Sequence, residues 1–304
     1  MPPHVFGLDE RRLRYGRFVV GDGAVGVDDL REVELAPETI AAGPLGGTLR
    51  EPSGLRQALD GLLAQIGVPV TEASLVLPDS WVRLVFAEGE ALPRAAAQRD
   101  EVLRFKLKRL IPFRAEDLRL AVCPAPPLAE QEEPSRHLLA FGMESLLQQV
   151  EAAFARRGVR LGQVSNATLA LLAGVRESLA GLDLSALLYA RDSEYSLTFL
   201  TAGEPVVHRY KVSAAGTPAE VRVAQHARDL RLTRKFVRDR LGQVRLRRVV
   251  LAASESSEPV WRPLLEEVFQ VPVTGLAELP RLAAARSGGP DELGPFLGAA
   301  CRAA

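Results

Sequence analysis

The sequence predicts an α/β protein with two domains and a smaller α+β unit inserted into the first. Strand-like and helix-like segments alternate along the chain, a pattern typical of sheets covered by helices. The order of elements restarts after residue 182, which divides the chain into two halves. Its 304 residues exceed one simple core and suit two domains of about 150 residues each. We therefore assign 1–80 and 160–182 to the first domain, 81–159 to the inserted unit and 183–304 to the second domain.

The first domain is predicted to contain a hairpin, two helices and a further buried strand. Gly21-Asp22-Gly23 is a hairpin turn signal between two apolar segments. The first helix carries leucines at helical spacing and ends at Gly67. In order, the predicted elements are a hairpin over 18–20 and 25–27, a helix over 53–66, a strand over 73–77 closed by Pro78 and Asp79, a segment over 159–165 that returns the chain to the first core, and a helix over 166–179.

The inserted unit has the order strand, helix, strand, strand, helix, which predicts an α+β lobe. Its elements are a strand over 82–86, a helix over 97–111, a strand over 118–122, a proline-rich loop over 124–134, a strand over 136–142 and a helix over 143–157. The first helix is amphipathic, with Leu103, Leu107 and Leu110 on one face and basic residues elsewhere. Pro112 ends it, because a proline pushes the preceding Ile111 away from the α region.

The second domain repeats the pattern of strands followed by helices. Thr217 is predicted to cap a helix, with Pro218 at the first helical position and Glu220 three residues after the cap. Gly242 ends that helix. In order, the elements are strands over 186–189, 196–200 and 206–212, a helix over 218–241, a buried strand over 249–253, a helix over 259–269, an edge strand over 271–273 and a final helix over 294–302.

The composition is that of an ordinary globular protein, with 47% hydrophobic and 25% charged residues. Basic and acidic residues both number 38, so the net charge of zero gives no global attraction to nucleic acid or an anionic membrane. Cys123 and Cys301 lie far apart and the histidines are isolated, which predicts neither a disulfide framework nor a metal site. The sequence has no recognisable export signal and no apolar window of about 18 residues. We therefore expect a cytoplasmic protein that does not span a membrane.

Basic residues are concentrated in one part of the second domain. A nucleic-acid stripe would need interleaved aromatic residues, and only Phe236 is present, so we predict no nucleic-acid partner. A solvated face and a docking face for an acidic protein are the two remaining interpretations. The basic residues are Arg222, Arg228, Arg231, Arg234, Lys235, Arg238, Arg240, Arg245, Arg247 and Arg248.

Four landmarks occur in the order and spacing of one protein family. They are Gly7-Leu8-Asp9, the basic helix ending at Ile111-Pro112-Phe113, the strand Ala186-Leu187-Leu188, and the closing stretch 293–300. Through them the chain resembles the type IV pilus assembly protein PilM family, relatives of the cell-division protein FtsA. It is also similar to the cytoplasmic domain of the type II secretion protein GspL. The resemblance covers nearly the whole chain and implies a two-domain actin-like (ribonuclease H-like) fold with an inserted α+β subdomain.

The resemblance also implies where a nucleotide would bind, and there the residues depart from the family pattern. Actin-like ATPases hold phosphates with a glycine-rich hairpin in each domain, because backbone amides must approach the anionic oxygens closely. In the first hairpin Asp9 is present, but Arg11 and Arg12 stand where glycine and serine are expected. In the second hairpin Tyr189 stands at the acidic position and Arg191 at the glycine.

The adenosine-side motif of the family, a strand followed by Ser-Gly-Gly, is also altered, because Ala253 and Ser254 follow the strand here. We therefore predict degenerate nucleotide loops, no cofactor and no catalytic residues. The alternative left open is ATP binding through the substituted arginines, since arginine is a good phosphate ligand. Hydrolysis would further need a positioned magnesium ion and an activated water.

The function that the resemblance implies is a non-catalytic cytoplasmic scaffold, peripheral at the inner membrane, in the assembly platform of a type IV pilus or a type II secretion machine. Its usual partner there is PilN, a bitopic protein whose short cytoplasmic tail docks in a groove between the inserted subdomain and the first domain. Motor ATPase components are further candidate partners, and membrane association arises only through partners. The residues predicted to line or flank the groove are Arg104, Phe105, Lys108, Phe113 and Arg114.

Three alternatives compete with this interpretation. One is an ATP-binding PilM-type protein whose nucleotide state regulates partner exchange. Another is an enzyme of the sugar-kinase and actin superfamily, which would require the missing hairpin glycines and a catalytic acid. The third is a GspL-like protein, which would continue into a transmembrane helix beyond Ala304, where this chain stops.

Overall fold

The computed structural model describes most of the chain. The described residues are 4–21, 24–41, 48–89, 91–108, 111, 114–128, 135–191, 193–214, 216–242, 244–287, 289 and 291–301. They form two five-stranded sheets, a three-stranded sheet, a small two-stranded ladder and the helices that cover them.

The helices occur in the predicted order, whereas the hairpin strands predicted over 18–20 and 25–27 extend over Arg12–Gly21 and Ala24–Glu34. In the first half they are β1 His4–Leu8, β2 Arg12–Gly21, β3 Ala24–Glu34, β4 Ile40–Ala41, β5 Thr48–Leu49, α1 Pro52–Gln65, β6 Glu72–Leu77, β7 Val82–Gly89, α2 Ala96–Lys108, β8 Leu118–Ala125, β9 Ser135–Met143, α3 Glu144–Ala155, β10 Arg160–Asn166 and α4 Ala167–Leu179. In the second half they are β11 Leu184–Arg191, β12 Glu194–Thr201, β13 Glu204–Val212, α5 Ala219–Leu241, β14 Leu246–Ala252, α6 Glu258–Phe269, β15 Val273–Gly275 and α7 Gly294–Cys301.

The two large sheets have the same topology. Their strand orders are β3-β2-β1-β6-β10 and β13-β12-β11-β14-β15. The central strands are β1 and β11. Each pairs with an antiparallel hairpin strand on one side, β2 or β12, and with a parallel strand on the other, β6 or β14. Each hairpin turn therefore lies near the carboxyl end of a central strand, where α/β sheets place their ligand sites. The restart after residue 182 is confirmed as a structural repeat.

One hydrophobic core joins the two sheets and is centred on α4 and α7. It includes Val76 from the first sheet, Val250 from the second and Leu171 from α4, all buried. The helices cross closely at Gly298, where an added Cβ would lie 2.1 Å from the carbonyl oxygen of Ala170. Only glycine allows this approach, so the closing segment of the sequence is fixed by contact with α4.

A second core lies on the opposite face of the first sheet. It is covered by α1 and α3, with Phe154 of α3 packed edge-on against Phe6 of β1 at a centroid distance of 5.0 Å. The last helix of the predicted inserted unit therefore buries its apolar face in the core of the first domain. In the second domain, α5 and α6 cover the sheet, and His226 and Trp261 stack between them at 5.0 Å.

The three-stranded sheet β7-β9-β8 forms the body of the inserted unit and carries α2 on one face. Leu103 and Leu107 of α2 are buried against it, as their helical spacing predicts. The unit contacts the second domain through a buried arginine, because Arg136 Nη2 donates to the carbonyl oxygen of Val206 at 2.9 Å. The guanidinium of Arg83 also lies 4.0 Å from the centroid of the Tyr210 ring.

Two local predictions need correction. Thr217 does not cap α5, because its hydroxyl donates to the carbonyl oxygen of Ala214 and the helix begins at Ala219 after Pro218. The edge strand predicted over 271–273 lies at Val273–Gly275. No element is predicted at the 3₁₀ segments Leu276–Glu278 and Pro280–Ser287, which lead into α7. The predicted helix end at Leu110 and Pro112 lies outside the described residues.

Candidate functional site

The turn between β1 and β2 is organised by Asp9. Its Oδ1 accepts hydrogen bonds from the backbone amides of Arg11 at 2.8 Å and Arg12 at 2.9 Å. Carboxylates commonly close tight turns in this way. The acidic residue that remains in the first hairpin therefore holds the turn, and it directs the two amides to its own oxygen.

The same carboxylate faces two guanidinium groups. Arg14 Nη2 lies 3.5 Å and Arg191 Nη2 lies 3.8 Å from Asp9 Oδ2. Arg191 ends β11, so it extends from the second hairpin across the cleft toward the acid of the first hairpin. The residue that stands at the expected glycine thus places a positive charge between the two hairpins, beside a negative charge from the protein itself.

Arg11 and Arg12, the two arginines of the first hairpin, differ in whether their side chains are paired within the protein. Arg12 Nη2 donates to Glu292 Oε1 at 2.9 Å, which ties the hairpin to the segment before α7. The Arg11 side chain is exposed at the mouth of the cleft. Arg12 is therefore paired within the protein, whereas Arg11 projects into the open part of the cleft.

Tyr189 lies on the floor of the cleft. Burial raises the pKa of its hydroxyl well above the ordinary value, so the side chain is neutral. A cavity of about 40 Å³ remains between Tyr189, Gly7 and Phe296, enough for a few water molecules. The Phe296 ring occupies the space that a side chain at position 7 would need, since an added Cβ there would lie 2.3 Å from Cζ.

The mouth of the cleft is wider and mostly polar. A cavity of about 410 Å³ opens there, and carboxylates outnumber arginines among its lining residues. Burial raises the pKa values of Glu194 and Asp291 above their ordinary range. The charged lining residues are Asp9, Glu10, Glu194, Asp291, Glu292, Arg11, Arg12 and Arg191. An anionic ligand would therefore meet more acidic than basic groups, five against three.

The residues at the adenosine-side position lie on the second-domain wall. Ala253 is buried directly after β14 and Ser254 faces the mouth of the cleft. The Ser254 hydroxyl donates to Ser257 Oγ at 2.8 Å and also accepts from the backbone amide of Ser257 at 3.2 Å. This turn leads into α6 and satisfies its polar groups locally.

A buried carboxylate that the sequence reasoning did not single out joins the two domains below the cleft. Asp79 Oδ1 accepts from the amide of Thr168, at the start of α4, at 3.0 Å. Its Oδ2 accepts from the hydroxyls of Thr168 and of Ser196 in β12, both at 2.5 Å. Burial raises the pKa of the Asp79 carboxyl, while these hydrogen bonds oppose the rise. The available signal was an acid following Pro78 at the carboxyl end of a buried strand.

The predicted partner-binding residues lie on the inserted unit. Phe105 of α2 projects outward with 64% of its surface exposed. Arg104 donates to the carbonyl oxygen of Ala115, and Lys108 Nζ lies 2.5 Å from Glu116 Oε1. Arg114 is also exposed, whereas Phe113 lies outside the described residues.

A groove is present where the predicted inserted unit meets the first domain, but α2 does not line it. Its volume is about 280 Å³ and it lies between α1 and α3. Leu49 and Ala153 are buried in it, and Arg56 and Arg156 lie along its sides. The lining residues are Leu49, Pro52, Arg56, Gln149, Ala152, Ala153 and Arg156.

The described part of the chain contains neither a candidate metal site nor a candidate membrane-spanning helix. Its histidines, cysteines and carboxylates form no cluster that could hold a metal ion. None of its helices has the length and apolar character needed to cross a membrane.

Comparison with known proteins identifies the fold. No protein-family model matches the sequence, and no curated protein matches it either. A chain of the PilM–PilN type IV pilus biogenesis complex superposes with a TM-score of 0.77 at 17% identity, covering 99% of this chain and 98% of that one. A Bacteroides thetaiotaomicron protein with an actin-like ATPase fold gives 0.54 at 9% identity, covering 90% and 89%. The cytoplasmic domain of EpsL, from the Vibrio cholerae type II secretion system, gives 0.46 at 15% identity, covering 82% and 81%.

The chain therefore has a two-domain actin-like fold, which confirms the predicted fold class. Its resemblance to PilM, first drawn from four sequence landmarks, is confirmed as a likeness of fold over nearly the whole chain.

Proposed function

We propose that this protein is a non-catalytic scaffold in the inner-membrane assembly platform of a type IV pilus or a type II secretion machine. It would bind the cytoplasmic tail of a PilN-like bitopic partner and reach the membrane only through its partners, with motor ATPase components as further candidates. The observation that carries the proposal is the likeness of the whole chain to a chain of a PilM–PilN complex, with a TM-score of 0.77.

The groove between α1 and α3 is our proposed docking site for the tail. It lies at the boundary between the first domain and the predicted inserted unit, and its buried floor suits an apolar anchor residue. An extended tail gains affinity from backbone hydrogen bonds and a few such anchors. The outer face of α2, with Arg104, Phe105 and Lys108, is a second proposed contact surface for the same partner.

The cleft supports a non-catalytic role. A bound triphosphate would compete with Asp9 for the guanidinium of Arg191, and it would face a lining in which acidic residues outnumber arginines. The alternative is an ATP-binding protein whose nucleotide state regulates partner exchange. One observation favours that alternative, because the exposed side chain of Arg11 lines a cavity of about 410 Å³.

The docking site can be tested by filling the groove. Ala152 is exposed and lines the groove, so Ala152→Trp should occupy it and weaken calorimetric binding of a synthetic PilN-like tail by about tenfold or more. Ala155→Trp is the matched control, because Ala155 is exposed on the same helix and does not line the groove. Phe105→Ala tests the α2 surface separately. Equal tail binding by all three variants and the parent protein would overturn the proposed docking site.

A further inference from the structure

The basic segment of the second domain divides into two groups in the structure. Some of its arginines lie against carboxylates of the same domain. Arg231 Nη2 is 2.6 Å from Glu267 Oε1, and Arg247 Nη2 is 3.2 Å from Asp183 Oδ2. These pairs belong to a solvated surface and contribute little on their own.

Three other arginines surround a cavity at the carboxyl end of α5. The cavity has a volume of about 500 Å³, within the range of about 300 to 1,000 Å³ that is usual for ligand pockets. Its floor is apolar and well packed, with Phe199, Val237 and Phe269 all at most 6% exposed. The rings of Phe199 and Phe269 meet edge to face at 6.0 Å. The full lining is Leu184, Phe199, Arg234, Val237, Arg238, Gly242, Val244, Arg245, Leu246 and Phe269.

The rim of this cavity is strongly basic. Arg234 is held in place by neutral acceptors, since it donates to the carbonyl oxygen of Val268 at 2.6 Å and to Gln270 Oε1 at 3.1 Å. Arg238 is 71% exposed, with the carboxylate of Asp239 3.6 Å away, and Arg245 is exposed as well. The described residues that line the cavity include no aspartate or glutamate. Three positive charges therefore surround an apolar floor in a chain whose net charge is zero.

We propose that this cavity, which we call the α5 cavity, binds an acidic peptide segment of a protein partner that inserts one apolar side chain. The apolar floor suits the anchor, and the rim arginines suit carboxylates on either side of it. This interaction is separate from the tail groove between α1 and α3, and it goes beyond the proposed scaffold function by adding a second partner surface.

Two other anionic partners fit the α5 cavity less well. A bilayer surface is flat, whereas the apolar residues here form the floor of a concave site. A single-stranded nucleic acid needs an aromatic platform. The nearby Phe236 is covered by Arg209 and Arg240, whose guanidinium carbons lie 4.8 Å and 5.8 Å from its ring centroid.

The test is selection of the full chain against a displayed library of short random peptides, followed by fluorescence anisotropy of the selected sequences. We expect enrichment of aspartate and glutamate around one aromatic or aliphatic residue. Arg238→Glu combined with Arg245→Glu should weaken binding by about tenfold or more, because it replaces attraction by repulsion at an exposed rim. Binding to the parent protein should also weaken as salt is added.

Arg228→Glu is the matched control, since Arg228 is exposed on α5 and does not line the cavity. It should leave peptide affinity unchanged. Failure to enrich acidic peptides, or equal binding by the Arg238→Glu/Arg245→Glu protein, would overturn the proposal. Sedimentation with phosphatidylglycerol vesicles tests the competing possibility that the cavity binds a membrane surface. Vesicle binding that is lost in the double variant, without peptide binding, would assign the cavity to the membrane instead.

Discussion

The interdomain cleft and the α5 cavity both carry arginines, but carboxylates line the cleft and none is among the described residues that line the α5 cavity. In the cleft, Arg191 faces Asp9 at 3.8 Å and Arg12 reaches Glu292 at 2.9 Å. Around the α5 cavity, Arg234 donates to neutral oxygens, and Arg245 lies on a rim whose described lining residues include no carboxylate. A basic residue in a cavity is therefore a stronger ligand candidate where the lining of that cavity contains no carboxylate.

The core beneath the cleft holds α4 against α7. A substitution at their crossing should have the largest effect on the free energy of unfolding. Gly298→Ala would place a Cβ 2.1 Å from the Ala170 carbonyl oxygen and force α4 and α7 apart. We expect a loss of about 3 kcal/mol in the free energy of unfolding, measured by urea denaturation.

A matched variant separates this packing effect from helix propensity. Gly61 lies within α1, and an added Cβ there meets no atom within 4 Å. Gly61→Ala should therefore stabilise the protein by about 0.5 to 1 kcal/mol. Equal stability changes for the two substitutions would contradict the close crossing of α4 and α7.

The next effect concerns the carboxylate that joins the domains. Asp79→Ala leaves the Thr168 amide and the Ser196 hydroxyl without their buried acceptor, and should cost about 2 kcal/mol. Asp79→Asn keeps an acceptor for the amide, so its loss at neutral pH should be under about 1 kcal/mol. Denaturation of both variants measures the difference, and equal losses would argue against the hydrogen-bonded role of Asp79.

The pH dependence of Asp79 has a defined sign. Burial raises its pKa in the folded protein above the ordinary value of 3.8. A raised carboxyl pKa stabilises the fold fully below the unfolded value, and that contribution is lost as pH rises through the folded value. The stability of the parent relative to Asp79→Asn should therefore fall as pH rises from about 3.8 toward neutrality. Asp291 titrates in both proteins and cancels in the comparison. The charge of Asp79 also raises the pKa of Glu194, so both proteins should carry Glu194→Gln for this measurement. A flat difference would contradict the raised pKa.

Much of the fold could be predicted from the sequence, because its elements have regular apolar spacing. The stripe of Leu103 and Leu107 predicts the buried face of α2, and the restart after residue 182 predicts the repeated sheet. The chain landmarks at Gly7 and Phe296 even prove to be in contact. The stripe of α2 and the restart are patterns along the linear sequence, whereas the contact between Gly7 and Phe296 becomes visible only in the structure.

The chemistry of the cleft was harder to predict, because its contacts join distant parts of the chain. The sequence marks Arg191 as a departure at a glycine position, but only the structure places it against Asp9. The bond from Ser196 to Asp79 spans the two domains and leaves no periodic signal. The residues predicted to line the groove lie on or beside α2, which does not line the groove between α1 and α3. The sequence does not show which face of the inserted unit α2 covers.

The smallest effects compare the two sites directly. Arg191→Ala removes one of two guanidinium groups near Asp9, and the pair is partly exposed, so the loss should be under about 1 kcal/mol. Arg245→Ala should change stability by less than about 0.5 kcal/mol, since no lining carboxylate depends on it. Urea denaturation of the two variants checks the ranking. A larger loss in the free energy of unfolding for Arg245→Ala than for Arg191→Ala would contradict the claim that Arg191, and not Arg245, is paired with a carboxylate among the described residues.

The central claim is that Arg12 and Arg191 of the cleft have their counter-charges within the protein, which supports our proposal that the protein functions without nucleotide. A thermal unfolding titration with Mg-ATP tests it most directly. A ligand that binds only the folded state adds about 2.7 kcal/mol of stability at 100 times its dissociation constant. We predict no rise in melting temperature up to millimolar Mg-ATP. A saturable rise that is lost in Arg11→Ala would contradict the claim and favour the nucleotide-regulated alternative.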